Sequence, residues 1–233
     1  HIKEQILRNE GKSMQRRNLI AGGVAVVGLG GWALTRPSKD LPFDPLMAAN
    51  AQEASTDMVE IPDMVMGAAD APVEIIEYAS FTCPHCANFH ATTYPLLKAD
   101  YIDTGKVRFV YREVYFDRFG LWASMIARCG GEMRFFGMAE LIYEKQKEWG
   151  ASGDPVVIVE ELRKLAKTAG LTDEMLDECM NDAEQAKALV AWYQANAERD
   201  DINSTPSFLI DGEKFSNMAY PEFQKILDEK IGG

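Results

Sequence analysis

Strand-forming segments sit at the two ends of the folded part of this chain, and residues 117–200 between them carry helical periodicity. A single sheet must therefore be assembled from pieces far apart in sequence, with a helical block inserted between them. The first cluster opens with a short strand candidate around Asp63 to Met66, followed by Val73-Glu74-Ile75-Ile76-Glu77-Tyr78-Ala79. That longer segment is mostly apolar and bounded by Pro72 and Ser80, the pattern of a strand buried on both faces. Pro84 to about Asp100 reads as helix, and Lys106-Val107-Arg108-Phe109-Val110-Tyr111 alternates as a strand after the turn signal Thr104-Gly105. Together these make a β-α-β unit.

Within the helical block, Asp154-Pro155 supplies an N-cap and a first-turn proline for a helix that stops at Gly170. Thr172 caps the next helix, with Asp173 and Glu174 in its first turn. Strand signals return at Pro206-Ser207-Phe208-Leu209-Ile210, turn through Asp211-Gly212 and continue from Glu213 to Ser216. Pro221 then opens a final helix containing Phe223, Ile226 and Leu227.

The amino end has the layout of an export signal: Arg16-Arg17, an uncharged run from Asn18 to Leu34, then Arg36, Lys39 and Asp40. The paired arginines resemble part of a twin-arginine signal. The run is at the short edge of the about 20 apolar residues that span a bilayer, so a cleaved signal and an N-terminal membrane anchor both fit. Ala49-Asn50-Ala51 offers a cleavage site well beyond the run. The reading is an upstream extension at 1–13, a signal or anchor at 14–35 and, with Pro37, Pro42 and Pro45, a linker at 36–57. Gly28-Leu29-Gly30-Gly31-Trp32-Ala33 matches the spacing of a dinucleotide loop, but Thr35-Arg36-Pro37-Ser38 follows where a capped helix should open, so no nucleotide cofactor is expected. With 24 Lys and Arg against 36 Asp and Glu, the net charge of −12 repels phosphate backbones, which argues against nucleic acid as a partner.

Cys83-Pro84-His85-Cys86 falls at the junction of the strongest strand and the helix after it. A sulfur at a helix N-terminus faces unpaired N–H groups and the positive end of the dipole, which favour thiolate over thiol. Pro84 wastes no N–H at the first helical position, and His85 offers a charge or a donor beside the same sulfur. Cys86, one turn along, is placed to attack a mixed disulfide at Cys83. A C-x-x-C beside a β-α-β pattern reads as a redox pair. Four sulfurs without two close pairs do not make a zinc site, and Ala87 stands where a c-type haem motif needs histidine, so neither metal nor cofactor is expected.

Phe81-Thr82-Cys83-Pro84-His85-Cys86, on the strand ending Tyr78-Ala79-Ser80, resembles the DsbA-like thiol:disulfide oxidoreductases, over about residues 58–233. The resemblance implies an α/β thioredoxin fold from 58–116 and 201–233, with an all-helical domain inserted at 117–200. It implies that Thr205-Pro206 is the dipeptide with a cis bond beside the sulfurs, and that Glu77 is a buried acid behind them, suited to shuttling the proton of Cys86. From the residues alone, Glu77 on an exposed edge strand fits equally. His90 reads as a surface or packing residue. An exported setting favours pairing of Cys129 with Cys179, and the resemblance implies a structural disulfide there; two unpaired buried thiols are the alternative.

The expected activity is donation of a Cys83–Cys86 disulfide to unfolded secreted proteins in the periplasm. By family analogy, a quinone-linked membrane oxidase of the DsbB kind would reoxidise the pair, and a monomer is expected. Thr205, where the strong oxidant of the family has valine, supports a reductase or isomerase as the alternative. A third reading is a peptide-binding or chaperone module with Phe119, Trp122, Phe135 and Phe136 lining a groove, although such a stripe at helical spacing also fits a core.

Overall fold

The computed structural model describes residues 59–232. The extension, export-signal, glycine-motif and linker readings at 1–57 lie outside the described residues. Among those residues, no helix is long and apolar enough to cross a membrane.

The strands are β1 (Met64–Met66), β2 (Val73–Ala79), β3 (Val107–Glu113), β4 (Ser207–Ile210) and β5 (Glu213–Ser216). They form one sheet in the order β1-β3-β2-β4-β5, with β2 and β3 parallel and every other pair antiparallel. The sheet thus joins strands from both ends of the described chain, as the two clusters require. β2 lies in the middle, which is why it reads as mostly apolar despite Glu74 and Glu77. Val73, Ile75, Glu77 and Ala79 alternate onto one face and are buried there, so Glu77 occupies a position that pattern alone reserves for an apolar side chain.

After β2 come α1 (Pro84–Thr92), α2 (Tyr94–Leu97) and a π-helical turn at Lys98–Ile102. The single helix expected from Pro84 to about Asp100 is interrupted at Thr93. Pro95 explains the interruption: it has no N–H to donate, and its ring opposes the carbonyl four residues back. The inserted helices are α3 (Arg118–Cys129), α4 (Glu132–Glu144), α5 (Gln146–Trp149), α6 (Pro155–Thr168), α7 (Asp173–Met180) and α8 (Ala183–Arg199). Asp117 caps α3 by accepting from the N–H groups of Phe119 and Gly120, and Asp154 and Thr172 cap α6 and α7 as expected. A final helix, α9 (Tyr220–Gly232), follows β5.

Phe89 on α1, Phe208 on β4 and Phe223 on α9 meet in one aromatic cluster, with centroids 4.9 Å apart for Phe89–Phe208 and for Phe208–Phe223. Burying each such ring is worth about 2–3 kcal/mol, and the cluster fixes α1 against the sheet. Trp122, Phe135 and Phe136 are also core residues and Phe119 packs against them half-buried, so the aromatic stripe is not an open peptide groove. Arg128 on α3 makes a bidentate pair with Glu113 of β3 at 2.6 and 2.7 Å, and both side chains are buried. Next to it, Cys129 is bonded to Cys179 with a Cα–Cα distance of 5.8 Å, tying α3 to α7. Closing a loop with a sequence separation of 50 contributes roughly 4 kcal/mol in the chain-entropy model.

Candidate active site

β2 ends at Ala79, and the chain turns through Ser80, Phe81 and Thr82 into α1, so Cys83 is the N-cap residue and Pro84 the first residue of the helix. Cys83 has extended backbone angles and makes no side-chain cap of the usual geometry, which leaves its sulfur at the helix entrance. Cys83 is 8% exposed and Cys86 fully buried; both are free thiols. The Cys83 sulfur lies 3.5 Å from the carbonyl oxygen of Thr205, which accepts from its thiol form. The Thr205–Pro206 peptide is cis, Pro206 is buried, and the buried Thr205 hydroxyl has no hydrogen-bond partner within the geometric limits of such a bond.

The two sulfurs differ sharply in acidity. Cys83 is held down to about 5, first by the Cys86 thiol donating to its sulfur, then by the Thr205 side chain rather than its carbonyl, and by the backbone N–H groups of Cys86 and His85; burial acts in the opposite direction. Cys86 is driven far above the ordinary thiol value by burial, by its contact with Cys83 and by the charge of Glu77. Open helix N–H groups therefore do contribute, but the partner sulfur contributes most. His85 is exposed, and its backbone N–H acts on the Cys83 sulfur.

Glu77 is fully buried on β2, in register with Tyr111 of β3 and Phe208 of β4. It does not stand on an edge. Its carboxylate meets His90, whose Nε2 lies 3.0 and 3.2 Å from the two oxygens. His90 is itself buried, so of the two readings, surface or packing residue, packing holds and surface does not; four residues beyond Cys86, it falls on the same face of α1. Its ring stacks on Tyr143 with centroids 4.3 Å apart and lies 4.7 Å from that of Tyr94. A further contact comes from the inserted helices: Gln146 on α5 donates to the carbonyls of Phe81 and Cys83 at 2.8 and 2.9 Å, clamping the turn that carries the sulfur.

A family model described as thioredoxin matches residues 60–229, spanning the sheet, the inserted helices and the cysteine pair. The chain belongs to the thioredoxin family. Within that family its likeness is to DsbA-like proteins. The crystal structure of Wolbachia pipientis alpha-DsbA1 superposes with a TM-score of 0.66 at 26% identity, covering 75% of this chain and 94% of that one. A Rickettsia bellii protein named "Putative protein-disulfide oxidoreductase" is 33% identical over 170 residues, 72% of this chain and 64% of its own length. The Bacillus subtilis "Disulfide bond formation protein D" is 26% identical over 180 residues, covering 72% of this chain and 77% of that protein. This thioredoxin-family chain thus spans less than two thirds of the Rickettsia relative, and more of the other two.

Proposed function

We propose that this protein is an exported thiol:disulfide oxidoreductase that introduces disulfides into unfolded secreted proteins through Cys83 and Cys86. The observation that carries this reading is the placement of the two sulfurs, Cys83 at the helix entrance beside the cis Thr205–Pro206 peptide and Cys86 fully buried one turn on, an arrangement that favours a low value for the first and a high one for the second. A substrate thiolate attacks Cys83 of the oxidised pair, the Cys83–Cys86 bond breaks, and its electrons remain on Cys86, which takes up a proton. A second substrate thiolate attacks the substrate sulfur, expelling Cys83 as thiolate and forming the substrate's disulfide. Two electrons have then moved from the substrate dithiol to the enzyme. A stable Cys83 thiolate is a good leaving group and lowers the free energy of the reduced form, which makes the oxidised form a strong oxidant.

The names of the DsbA-like relatives support this direction, and the amino-terminal pattern supports export to the periplasm with a soluble or anchored product. Reoxidation then falls to a membrane oxidase linked to quinone. Thr205 beside the sulfur supports a second reading, a reductase or isomerase on the same scaffold. Equilibration with glutathione separates the two: an oxidant is reduced even by a glutathione pool that is mostly oxidised. A pair that stays oxidised under reducing glutathione would sink the oxidant reading. Cys83→Ser retaining full activity in oxidative refolding would favour a binding module instead.

A further inference from the structure

Burial of Cys86 creates a problem that the sulfurs alone do not solve. Each passage through a mixed disulfide requires this enclosed sulfur to gain or lose a proton, and Cys86 is fully buried. Glu77 is near enough for its charge to act on Cys86, and it is equally enclosed. Behind Glu77 stands His90, with Nε2 on the carboxylate; its Nδ1 is buried with no hydrogen-bond partner. A buried ring nitrogen left without a partner is costly, and its retention calls for an explanation.

His90 also lines a cleft of about 700 Å³ between α1, α2 and α4, together with Ala91, Tyr94, Glu140 and Tyr143. The groups facing the Glu77–His90 pair are Cys86 from α1, Tyr94 from α2, Tyr111 from β3, and Tyr143 and Glu140 from α4. Burial, as the largest cause, holds the three phenols well above their ordinary value, so they stay protonated and form fixed walls. Tyr111 and Tyr143 also bond to each other at 2.7 Å. Glu77 thus acts on the buried sulfur on one side and meets His90, which lines the cleft, on the other.

We propose that His90 is a positioning residue that completes a proton path from Cys86 through Glu77 to the cleft. The inference rests on the thiol–disulfide reading of the site and deepens it. When Cys86 resolves a mixed disulfide, its thiol gives a proton to Glu77 and its sulfur bonds to Cys83. The Cys83–substrate bond breaks, and the departing sulfur leaves as a thiolate that takes a proton from solvent. The Glu77–His90 pair holds the proton until the His90 ring releases one to the cleft that it lines. Reduction of the enzyme runs the same path inward.

Reduced protein is mixed with oxidised glutathione, quenched in acid at intervals and weighed by mass spectrometry, which separates glutathionylation of Cys83 from its resolution by Cys86. Native protein is expected to pass through the mixed disulfide with little accumulation. His90→Ala is expected to accumulate it, with resolution slowed by about 100-fold, the ordinary scale of general acid–base assistance. Added imidazole and methylimidazoles should restore the rate in order of their basicity, whereas pyrrole, of similar shape but not basic, should not. Resolution at the native rate in His90→Ala, or equal rescue by pyrrole, overturns the path. Should His90→Ala fail to fold, His90→Gln, which keeps a donor toward Glu77 but cannot relay a proton, carries the same expectation and the same refutation. If native protein forms no mixed disulfide at all, the proposed function falls and takes the path with it; native-rate resolution in the variant removes only the path.

Discussion

The Cys86 thiol donates to the Cys83 sulfur, and this contact is the largest cause of the low Cys83 value of about 5; it also adds to the burial that drives Cys86 far above the ordinary thiol. The buried member is thereby kept as the proton-bearing donor that stabilises the anion of the other.

Removing that donor should be felt at both ends of the chemistry. In Cys86→Ala, Cys83 loses the largest contribution to its low value, so its titration should move upward from about 5 toward the ordinary 9.0. The helix N–H groups and Thr205 remain, so the return should be incomplete. The same variant has no resolving sulfur and should trap mixed disulfides with client proteins, detectable on non-reducing gels after mild alkylation. A Cys83 titration unmoved by the substitution would contradict the assignment of cause.

The low value also links redox state to stability. Because Cys83 falls from 9.0 in its ordinary state to about 5 when folded, the folded reduced protein binds fewer protons than the unfolded one between these values. Its contribution to stability is therefore fully present at about pH 9, shrinks as pH falls, and is gone below about pH 5. The oxidised protein has no Cys83 thiolate and lacks this dependence. Urea denaturation of both forms across this range should show the reduced form gaining on the oxidised form as pH rises; a constant gap would exclude the linkage.

Gln146 should matter for stability without carrying chemistry. Its amide is the donor to two carbonyls of the active-site turn, so Gln146→Ala should cost about 1–2 kcal/mol, read as a lower denaturation midpoint with an unchanged slope. An unchanged midpoint would mean that solvent replaces the clamp at no cost.

Much of this arrangement is local, and local features are legible in sequence. The β-α-β unit, the caps at Asp154 and Thr172, and a cysteine at a helix entrance each depend on residues within a few positions of one another. Gln146 gives no such signal, because its partners lie 63 and 65 residues away and any polar residue in a short helix looks the same. His90 is an intermediate case: its spacing from Cys86 puts it on the buried face of α1, but the aromatic walls that enclose it come from α2, β3 and α4. The interruption at Thr93 was carried by Pro95 and masked by the apolar periodicity on either side of it. The His85 backbone N–H, which acts on the sulfur, has no signature in the identity of the side chain.

The most direct test is the pH dependence of Cys83 alkylation in the reduced native protein, followed together with thiolate absorbance near 240 nm. The account predicts one sulfur titrating near 5 and reacting readily at neutral pH, with Cys86 unreactive. A midpoint near the ordinary 9.0 for Cys83 would contradict it.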